Sequence, residues 1–136
     1  MNSVERHTFG KNERLCRTKL INEIFETGSV FNSSRFKVAW NISNIELPSP
    51  AQAAFSVPKK NYRLAVTRNL IKRRIREAYR RKKHLLYNFL TEENIQITLV
   101  LVYRNTVVHD YYTIEKSVVE VIEKLCDKIR QKQKKC

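Results

Sequence analysis

The residues best placed to do chemistry lie in one strongly basic segment. Of the sixteen residues from Arg68 to Lys83, nine are Lys or Arg and only one, Glu77, is acidic. The segment is predicted to be helical, so residues four apart are neighbours, and like charges at that spacing repel by roughly a few tenths of a kcal/mol per pair. Of three such pairs only the last is attractive: Lys72/Arg76, Arg76/Arg80 and Arg73/Glu77. Such a helix is best stabilised by a polyanion, and nucleic acid is the commonest cellular one.

Residues for catalysis by the protein itself form no recognisable motif. His7, His84 and His109 have no cysteine partner at zinc spacing, and two glycines are too few for a glycine-rich phosphate loop. The sequence has no Ser/His/Asp or Cys/His motif and no carboxylate cluster of the kind that binds two metal ions. We therefore expect no catalytic residue and no metal site, and expect any chemistry on nucleic acid to come from a partner.

Composition indicates one domain that binds nucleic acid in a reducing compartment. The 136 residues carry a formal charge of +14 with a sequence pI of about 10.0, and 42% are hydrophobic, enough for a core. The alternative is that the charge serves only solubility. Three cysteines at unrelated positions favour a reducing environment. Without a signal-peptide pattern or an apolar stretch near the roughly 20 residues of a membrane helix, we expect a cytoplasmic location and no membrane contact.

The first half of the chain is predicted to form a helix and then strands. Thr18 can cap a helix that stops near Gly28. Alternating apolar residues over 34–43 indicate a half-buried strand, with Lys37, Ala39 and Asn41 on its other face. Residues 51–57 are predicted to follow as an antiparallel strand, because the proline-containing connection is short. A short extra strand is also considered near residues 29–31.

The second half is predicted to contain the basic helix, a buried strand and a last helix. The basic helix is expected to start at a Thr67 cap and to reach about Leu90. On it the apolar residues share one side, while another side carries Asn69, Lys72, Arg73, Arg76, Arg80 and Lys83. Residues 95–103 are nearly all apolar, which indicates an internal strand. Asp110 or Thr113 can cap the last helix.

These elements predict an α+β fold of three helices and a small, mostly antiparallel four-stranded sheet, in the order α-β-β-β-α-β-α. We divide the chain into a flexible N-terminal segment (1–13), a single RNA-binding domain (14–130) and a basic C-terminal tail (131–136). If the polar face of the sheet is open, it would form a cleft with the first and basic helices, suited to a single nucleic-acid strand. Exposed aromatics would stack bases there, the candidates being Phe25, Phe31, Tyr62 and Tyr103.

The motifs around the basic helix resemble those of the bacterial ribonuclease P protein family. Phe55-Ser56-Val57-Pro58-Lys59-Lys60 matches its strand ending in Ser-Val-x-Lys-Lys. Arg68-Asn69, followed by residues 71–80, matches its Arg-Asn-Arg helix with Ile-Lys-Arg and Arg-Glu-Ala-aromatic. The resemblance covers roughly residues 14 to 127.

The resemblance implies a protein that binds a catalytic RNA and helps it to remove the 5′ leader of precursor tRNA. The RNA would perform the hydrolysis with Mg²⁺ that it binds itself, so the partners are this RNA and precursor tRNA, with no DNA expected. It also implies a left-handed βαβ crossover around the basic helix, against the usual right-handed rule. The implied contacts to the RNA subunit are Arg68, Asn69, Lys72, Arg73, Arg76 and Arg80. The implied leader-binding residues are Phe25, Lys37, Ala39, Lys59 and Lys60.

Two departures from the family pattern affect these expectations. Leu70 replaces the last Arg of Arg-Asn-Arg, so a phosphate contact is lost or is supplied by Arg73 or Arg74. Ile21 and Ala39 stand where the family usually has aromatics, so we expect weaker stacking on the leader and a larger contribution from lysine charge.

Three other functions are weighed against this one. The main alternative is a non-catalytic structural RNA-binding protein of the ribosomal type. A DNA-binding helix is disfavoured because strands, rather than a short helix-turn-helix connection, precede the basic helix. A protein-only nuclease is disfavoured because the sequence has no carboxylate cluster.

Overall fold

Three helices and a four-stranded sheet make up the part of the chain that the computed structural model describes, residues 9–134. A 3-10 turn, Lys11–Glu13, precedes α1 (Thr18–Thr27), β1 (Ser29–Ser33), β2 (Phe36–Ile42), β3 (Ala51–Ser56), α2 (Ala65–Glu93), β4 (Ile97–Tyr103) and α3 (Tyr111–Lys134). The predicted α+β class, the element order and the short extra strand are confirmed.

The sheet is mixed, with strand order β1-β2-β4-β3. β2 runs antiparallel to β1 and to β4, whereas β3 runs parallel to β4. The expectation that residues 51–57 pair with the preceding strand is therefore wrong, because β4 lies between β2 and β3. The physical reason is that β4 is apolar on both faces, and a central position buries both. The handedness of the β3-α2-β4 crossover stays a prediction.

The two faces of the sheet carry different helices. Side chains of α2 and α3 pack on one face, where they cover Phe36, Val38 and Trp40 of β2. α1 packs on the opposite face through Leu20 and Ile24. The end of α1 at Gly28 is as predicted. A Cβ atom on residue 28 would stand 2.5 Å from the Ile24 oxygen and 2.7 Å from the Trp40 oxygen. Only glycine permits this close approach of helix and strand.

Helix starts differ from the predictions by one to three residues. α2 begins at Ala65, because the Arg68 N–H already donates to the Leu64 oxygen at 3.2 Å, so Thr67 is inside the helix and does not cap it. Likewise Thr18 is the first residue of α1 and not its cap. At α3 the Asp110 alternative is confirmed, since its carboxylate accepts from the Thr113 N–H at 2.9 Å.

The N-terminal segment from Phe9 onward wraps around the free edge of β3. The Phe9 ring lies 5.4 Å from that of Phe55 and 5.7 Å from that of Tyr79, on the α2 side of the sheet. The Leu15 N–H then donates to the Ala53 oxygen at 3.0 Å, and the Leu15 side chain lies on the α1 side. Residues 9–13, expected to be flexible, thus have defined contacts, while the rest of that prediction, residues 1–8, lies outside the described part. α3 also extends through residues 131–134 of the predicted tail.

Candidate nucleic-acid interface

One side of α2 carries most of the residues predicted to contact an RNA partner. Asn69, Arg73 and Arg76 are exposed, and Lys72 and Arg80 are half-buried. Because α2 turns by about 100° per residue, these five positions share one side of the helix. Within residues 9–134, Lys72, Arg73 and Arg76 form no ion pair with a carboxylate. We call these five residues the α2 cationic side; its positive charge is available to an anionic partner.

Arg68 stands apart from the α2 cationic side because its guanidinium is engaged with the chain. Nη1 donates to the Tyr62 oxygen at 2.8 Å and to the Arg63 oxygen at 3.1 Å. These bonds fasten the loop before α2 to the first turn of the helix. Arg68 is thus partly a loop anchor, and any contact it makes with RNA would use its remaining N–H groups.

Glu77 pairs with different arginines from the one predicted. It accepts from Arg80 Nε at 2.9 Å and Arg80 Nη2 at 2.5 Å, and from Arg81 Nε at 3.2 Å, so the expected pair with Arg73 is wrong. From the i,i+3 position the Arg80 guanidinium binds the carboxylate with two nitrogens, the stronger form of this contact. The hydrogen bonds from Arg80 hold the pKa of the Glu77 carboxyl below its usual range. Arg80 is the least available cation of the α2 cationic side.

Other basic residues of α2 hold the domain together. Lys83, grouped by its helical position with the exposed cations, is in fact buried and pairs with the Glu13 carboxylate. Arg74 Nη1 donates to the His109 oxygen at 2.5 Å, and the Arg81 guanidinium lies 5.8 Å from the centre of the Tyr111 ring. The helix charge is therefore divided between internal contacts and an outward-facing side.

The α1 face of the sheet is covered in its centre. Leu20 and Ile24 pack on Ala39 and Val100, and Ala39 keeps only 2% of its surface exposed. The prediction that Ala39 lines a leader-binding surface is wrong for this reason. Its small side chain instead makes room for α1.

One row of side chains on that face stays open. Cross-strand pairing aligns Asn32, Lys37, Val102 and Ser56 across all four strands. Asn32 and Lys37 are exposed, and Val102 and Ser56 are half-buried. We call these four residues the open row. With strands about 4.8 Å apart, it spans roughly 14 Å.

α1 borders the open row with an apolar flank. Phe25 is 62% exposed, and Ile21, one turn earlier, packs at the margin of the same cluster as Val102 and Ala54. Val102, Ala54 and Ser56 were missed as site residues by sequence reasoning. The available signal was the apolar run of β4, which requires side chains on both faces of the sheet.

The two predicted lysines of the basic loop lie beyond the β3 end of the open row. Ser56 ends β3, and Lys59 and Lys60 follow as exposed residues in the loop that Arg68 fastens to α2. The expected cleft between α1, the sheet and α2 needs correction, because α1 and α2 pack on opposite faces. The sheet, α1 and the basic loop form the cleft, and α2 reaches it only through this loop.

Three of the four aromatic candidates for base stacking are buried. Phe31 and Tyr62 keep less than a tenth of their surface exposed, and Tyr103 keeps none. The Tyr62 hydroxyl donates to the Asn105 and Val107 oxygens at 2.7 and 3.0 Å, which fixes it as a packing residue. Phe25 is the candidate whose ring is open to a base.

The residues that would be needed to hold a metal ion do not come together in the described region. No group of three or more His, Cys, Asp or Glu residues is close enough there to hold a metal ion. Among the described helices, none is long and apolar enough to cross a membrane.

Comparison with known proteins gives a consistent result. A family model described as Ribonuclease P matches residues 9–126. The chain is 35% identical over 113 residues to the ribonuclease P protein component of Porphyromonas gingivalis, which covers 82% of both chains. It is 35% identical over 95 residues to that of Chlorobium phaeobacteroides, which covers 68% of this chain and 65% of the relative.

Solved structures share the fold. The RNase P protein from Thermotoga maritima superposes with a TM-score of 0.65 at 20% identity, covering 82% of this chain and 96% of that one. The RNase P protein of Staphylococcus aureus superposes with a TM-score of 0.64 at 23% identity, covering 83% of this chain and 94% of that one.

Proposed function

The chain belongs to the ribonuclease P protein family, and on that premise we propose that it binds the catalytic RNA of ribonuclease P and the 5′ leader of precursor tRNA. In this role it assists an endonucleolytic cleavage that forms the mature 5′ end of tRNA. The observation that carries the proposal is the α2 cationic side, where exposed basic residues lie without acidic partners in the described region. We place this ribonucleoprotein in the cytoplasm.

The α2 cationic side supports binding to a folded RNA. Arg73 and Arg76 are exposed on a long, rigid helix, and their guanidinium groups can bind phosphate with two nitrogens. Asn69, one turn earlier, can donate to a base edge or a sugar. Arg68 and Arg80 contribute less, because each already serves internal contacts.

The open row supports binding of a single-stranded leader. The Phe25 ring offers a stacking surface at one side, and Lys37 offers a phosphate contact in the middle of the row. Lys59 and Lys60 extend this positive charge toward the start of α2. A strand lying along the row would thus meet both aromatic and cationic groups.

Hydrolysis is assigned to the RNA subunit, with Mg²⁺ that it binds. The residues of this chain do not fit such an ion, because the described part has no cluster of carboxylates or imidazoles that could hold it. The protein therefore contributes binding and orientation of the substrate.

Reconstitution tests the proposed function. The chain is mixed with a ribonuclease P RNA and precursor tRNA at low Mg²⁺, and leader removal is measured. We expect cleavage to be enhanced over the RNA alone. Tight RNA binding without any enhancement would favour the structural RNA-binding alternative, and cleavage by the chain without RNA would favour a protein nuclease.

Arg73→Ala tests the binding surface. It should weaken binding to the RNA subunit. It should also make the slope of the logarithm of the binding constant against the logarithm of the salt concentration shallower by about 0.7 to 0.9, the contribution of one phosphate contact. Lys116→Ala, at an exposed lysine on α3, is the matched control and should change neither. An unchanged salt slope for Arg73→Ala would remove this residue from the interface.

A further inference from the structure

A second group of cations lies at the β1 end of the open row, away from Lys59 and Lys60. Arg104 Nη1 donates to the Asn32 Oδ1 atom at 2.6 Å, and Lys124 Nζ donates to the Asn32 backbone oxygen at 2.8 Å. Arg104 continues β4 by one residue, since its N–H donates to the Arg35 oxygen at 2.8 Å. By strand alternation its side chain is on the same face as Val102 and Lys37.

The charge of this group is not balanced within the described part of the chain. Lys37, Arg104 and Lys124 are exposed, and none forms an ion pair with a carboxylate among residues 9–134. Arg104 and Lys124 share Asn32 as a neutral acceptor, and Lys37 is the cross-strand neighbour of Asn32, so none of the three charges is cancelled by this residue. Such a group is a ready contact for phosphate.

Continuity with the open row indicates which anion would bind. A single strand that crosses from Ser56 through Val102 and Lys37 arrives at Asn32. There Arg104 lies on the same face, and Lys124 reaches the β1 edge from α3, with its Nζ 5.9 Å from the Phe31 ring. The row is neutral at Val102 and Ser56 and has cations on both sides of this stretch: Lys37 and Arg104 toward β1, and Lys59 and Lys60 beyond β3. This arrangement fits phosphates held at two ends and bases lying between them.

We propose that Arg104 and Lys124, positioned by Asn32, bind the phosphodiester backbone of the distal part of the leader. This subsite extends the leader-binding surface across the whole sheet to the β1 edge. The inference rests on the proposed function and names the residues that hold the leader beyond Lys37.

Protection of an open strand edge explains only part of this arrangement. β1 is an edge strand, and lysines often cover such edges to prevent pairing with other chains. Lys124 could serve that purpose, since it binds a backbone oxygen of β1. Arg104 binds a side chain on the face of the sheet, so edge protection does not account for it.

A leader-length series with the reconstituted holoenzyme tests the proposal. Precursor tRNAs whose leaders grow one nucleotide at a time are bound to wild type and to Arg104→Gln/Lys124→Gln. Wild-type affinity should rise until the leader fills the row. The double variant should bind short leaders like wild type and lose the gain from the longest ones, by about twofold to fivefold per removed charge. Its salt slope for long leaders should fall by about 0.7 per lost contact.

Two further variants complete the experiment. Arg104→Lys/Lys124→Arg should restore the gain, because it keeps both charges. Lys19→Gln, on the other flank of α1, should behave as wild type. A double variant that keeps the full length dependence overturns the subsite while the proposed function stands. If wild-type affinity does not depend on leader length, the subsite and the leader binding of the proposed function are both overturned. Failure to bind the RNA subunit refutes the proposed function itself.

Discussion

Basic residues of α2 differ in their roles according to what each side chain contacts. Arg73 and Arg76 point outward without acidic partners in the described region, Arg68 fastens a loop, and Lys83 is buried beside a carboxylate. Glu77 affects both Arg80 and Arg81, because its one carboxylate forms an ion pair with each guanidinium group. Replacing Glu77 therefore tests how much its ion pairs limit the binding of RNA by these arginines.

Glu77→Gln should strengthen binding to the RNA subunit by about twofold to fivefold and cost no more than about 1 kcal/mol of stability, since exposed ion pairs contribute little. The substitution removes a negative charge beside the α2 cationic side and frees Arg80 for phosphate. Titration of labelled RNA at several salt concentrations measures the effect, with Glu123→Gln on α3 as the control. Weaker binding would mean that Glu77 orients Arg80 for its contact.

At the scale of elements, α1 has one buried face and one exposed face. Ile24 is 1% exposed and packs on the sheet, whereas its neighbour Phe25 is 62% exposed at the open row. We therefore expect substitutions of these two adjacent residues to affect stability and leader binding separately.

Phe25→Ala should weaken leader binding by about 1 to 3 kcal/mol, the usual effect of removing a stacked aromatic ring. Ile24→Ala should destabilise the fold by about 2 to 5 kcal/mol, because it leaves a cavity under α1. Leader affinity and urea unfolding are measured on both variants. Equal loss of stability in the two would contradict the assignment of faces.

The N-terminal segment is held to α2 by the carboxylate of Glu13. This group pairs with Lys83 and accepts from the Tyr87 hydroxyl at 2.8 Å and from the Gly10 N–H at 2.9 Å. Burial by itself raises the pKa of Glu13, but the hydrogen bonds from Lys83, Gly10 and Tyr87 outweigh it and lower the pKa below its ordinary value of 4.5. A lowered pKa means that the stabilisation is present above pH 4.5 and is lost as the pH falls through the folded-state value.

Glu13→Gln should therefore destabilise the domain at neutral pH by about 3 kcal/mol, the lower end of the range for breaking a buried pair. The difference from wild type should shrink on acidification below about pH 4.5. Thermal unfolding across pH measures both effects, with Glu26→Gln on the exposed side of α1 as the control. A difference that does not change with pH would exclude the ionised carboxylate as the cause.

At the scale of the whole molecule, the sheet separates the two surfaces proposed to bind RNA. The α2 cationic side lies on the face that carries α2 and α3, and the open row lies on the face that carries α1. The proposed function would thus place the RNA subunit and the leader on opposite faces of the sheet, with the basic loop of Lys59 and Lys60 between them.

Arg73→Ala and Phe25→Ala should combine additively, within about 0.5 kcal/mol, because sites without shared partners seldom couple. A double-mutant cycle on substrate binding by the holoenzyme, at saturating RNA subunit, measures this. The first substitution alone should lower affinity for the RNA subunit. Strong coupling between the two would show that one RNA segment contacts both faces.

The element order, the amphipathic stripes of the helices and the cationic character of α2 could be predicted from the sequence. They depend on residue type and on local periodicity, and both can be read from a short stretch of sequence. The same holds for Gly28 as the end of α1 and for Asp110 as the cap of α3. Lys37, Arg73 and Arg76 were placed on exposed surfaces for the same reason.

The central position of β4, the burial of Ala39 and the pairing of Lys83 with Glu13 were decided only by the tertiary structure. Each depends on contacts between residues far apart in the chain: β4 enters between two strands, α1 covers Ala39, and Glu13 lies 70 residues before Lys83. The sequence around a lysine or an alanine does not show whether a distant element covers that residue in the folded chain. Residue types thus predicted a strongly charged helix, and packing between distant elements selected which of its charges face outward.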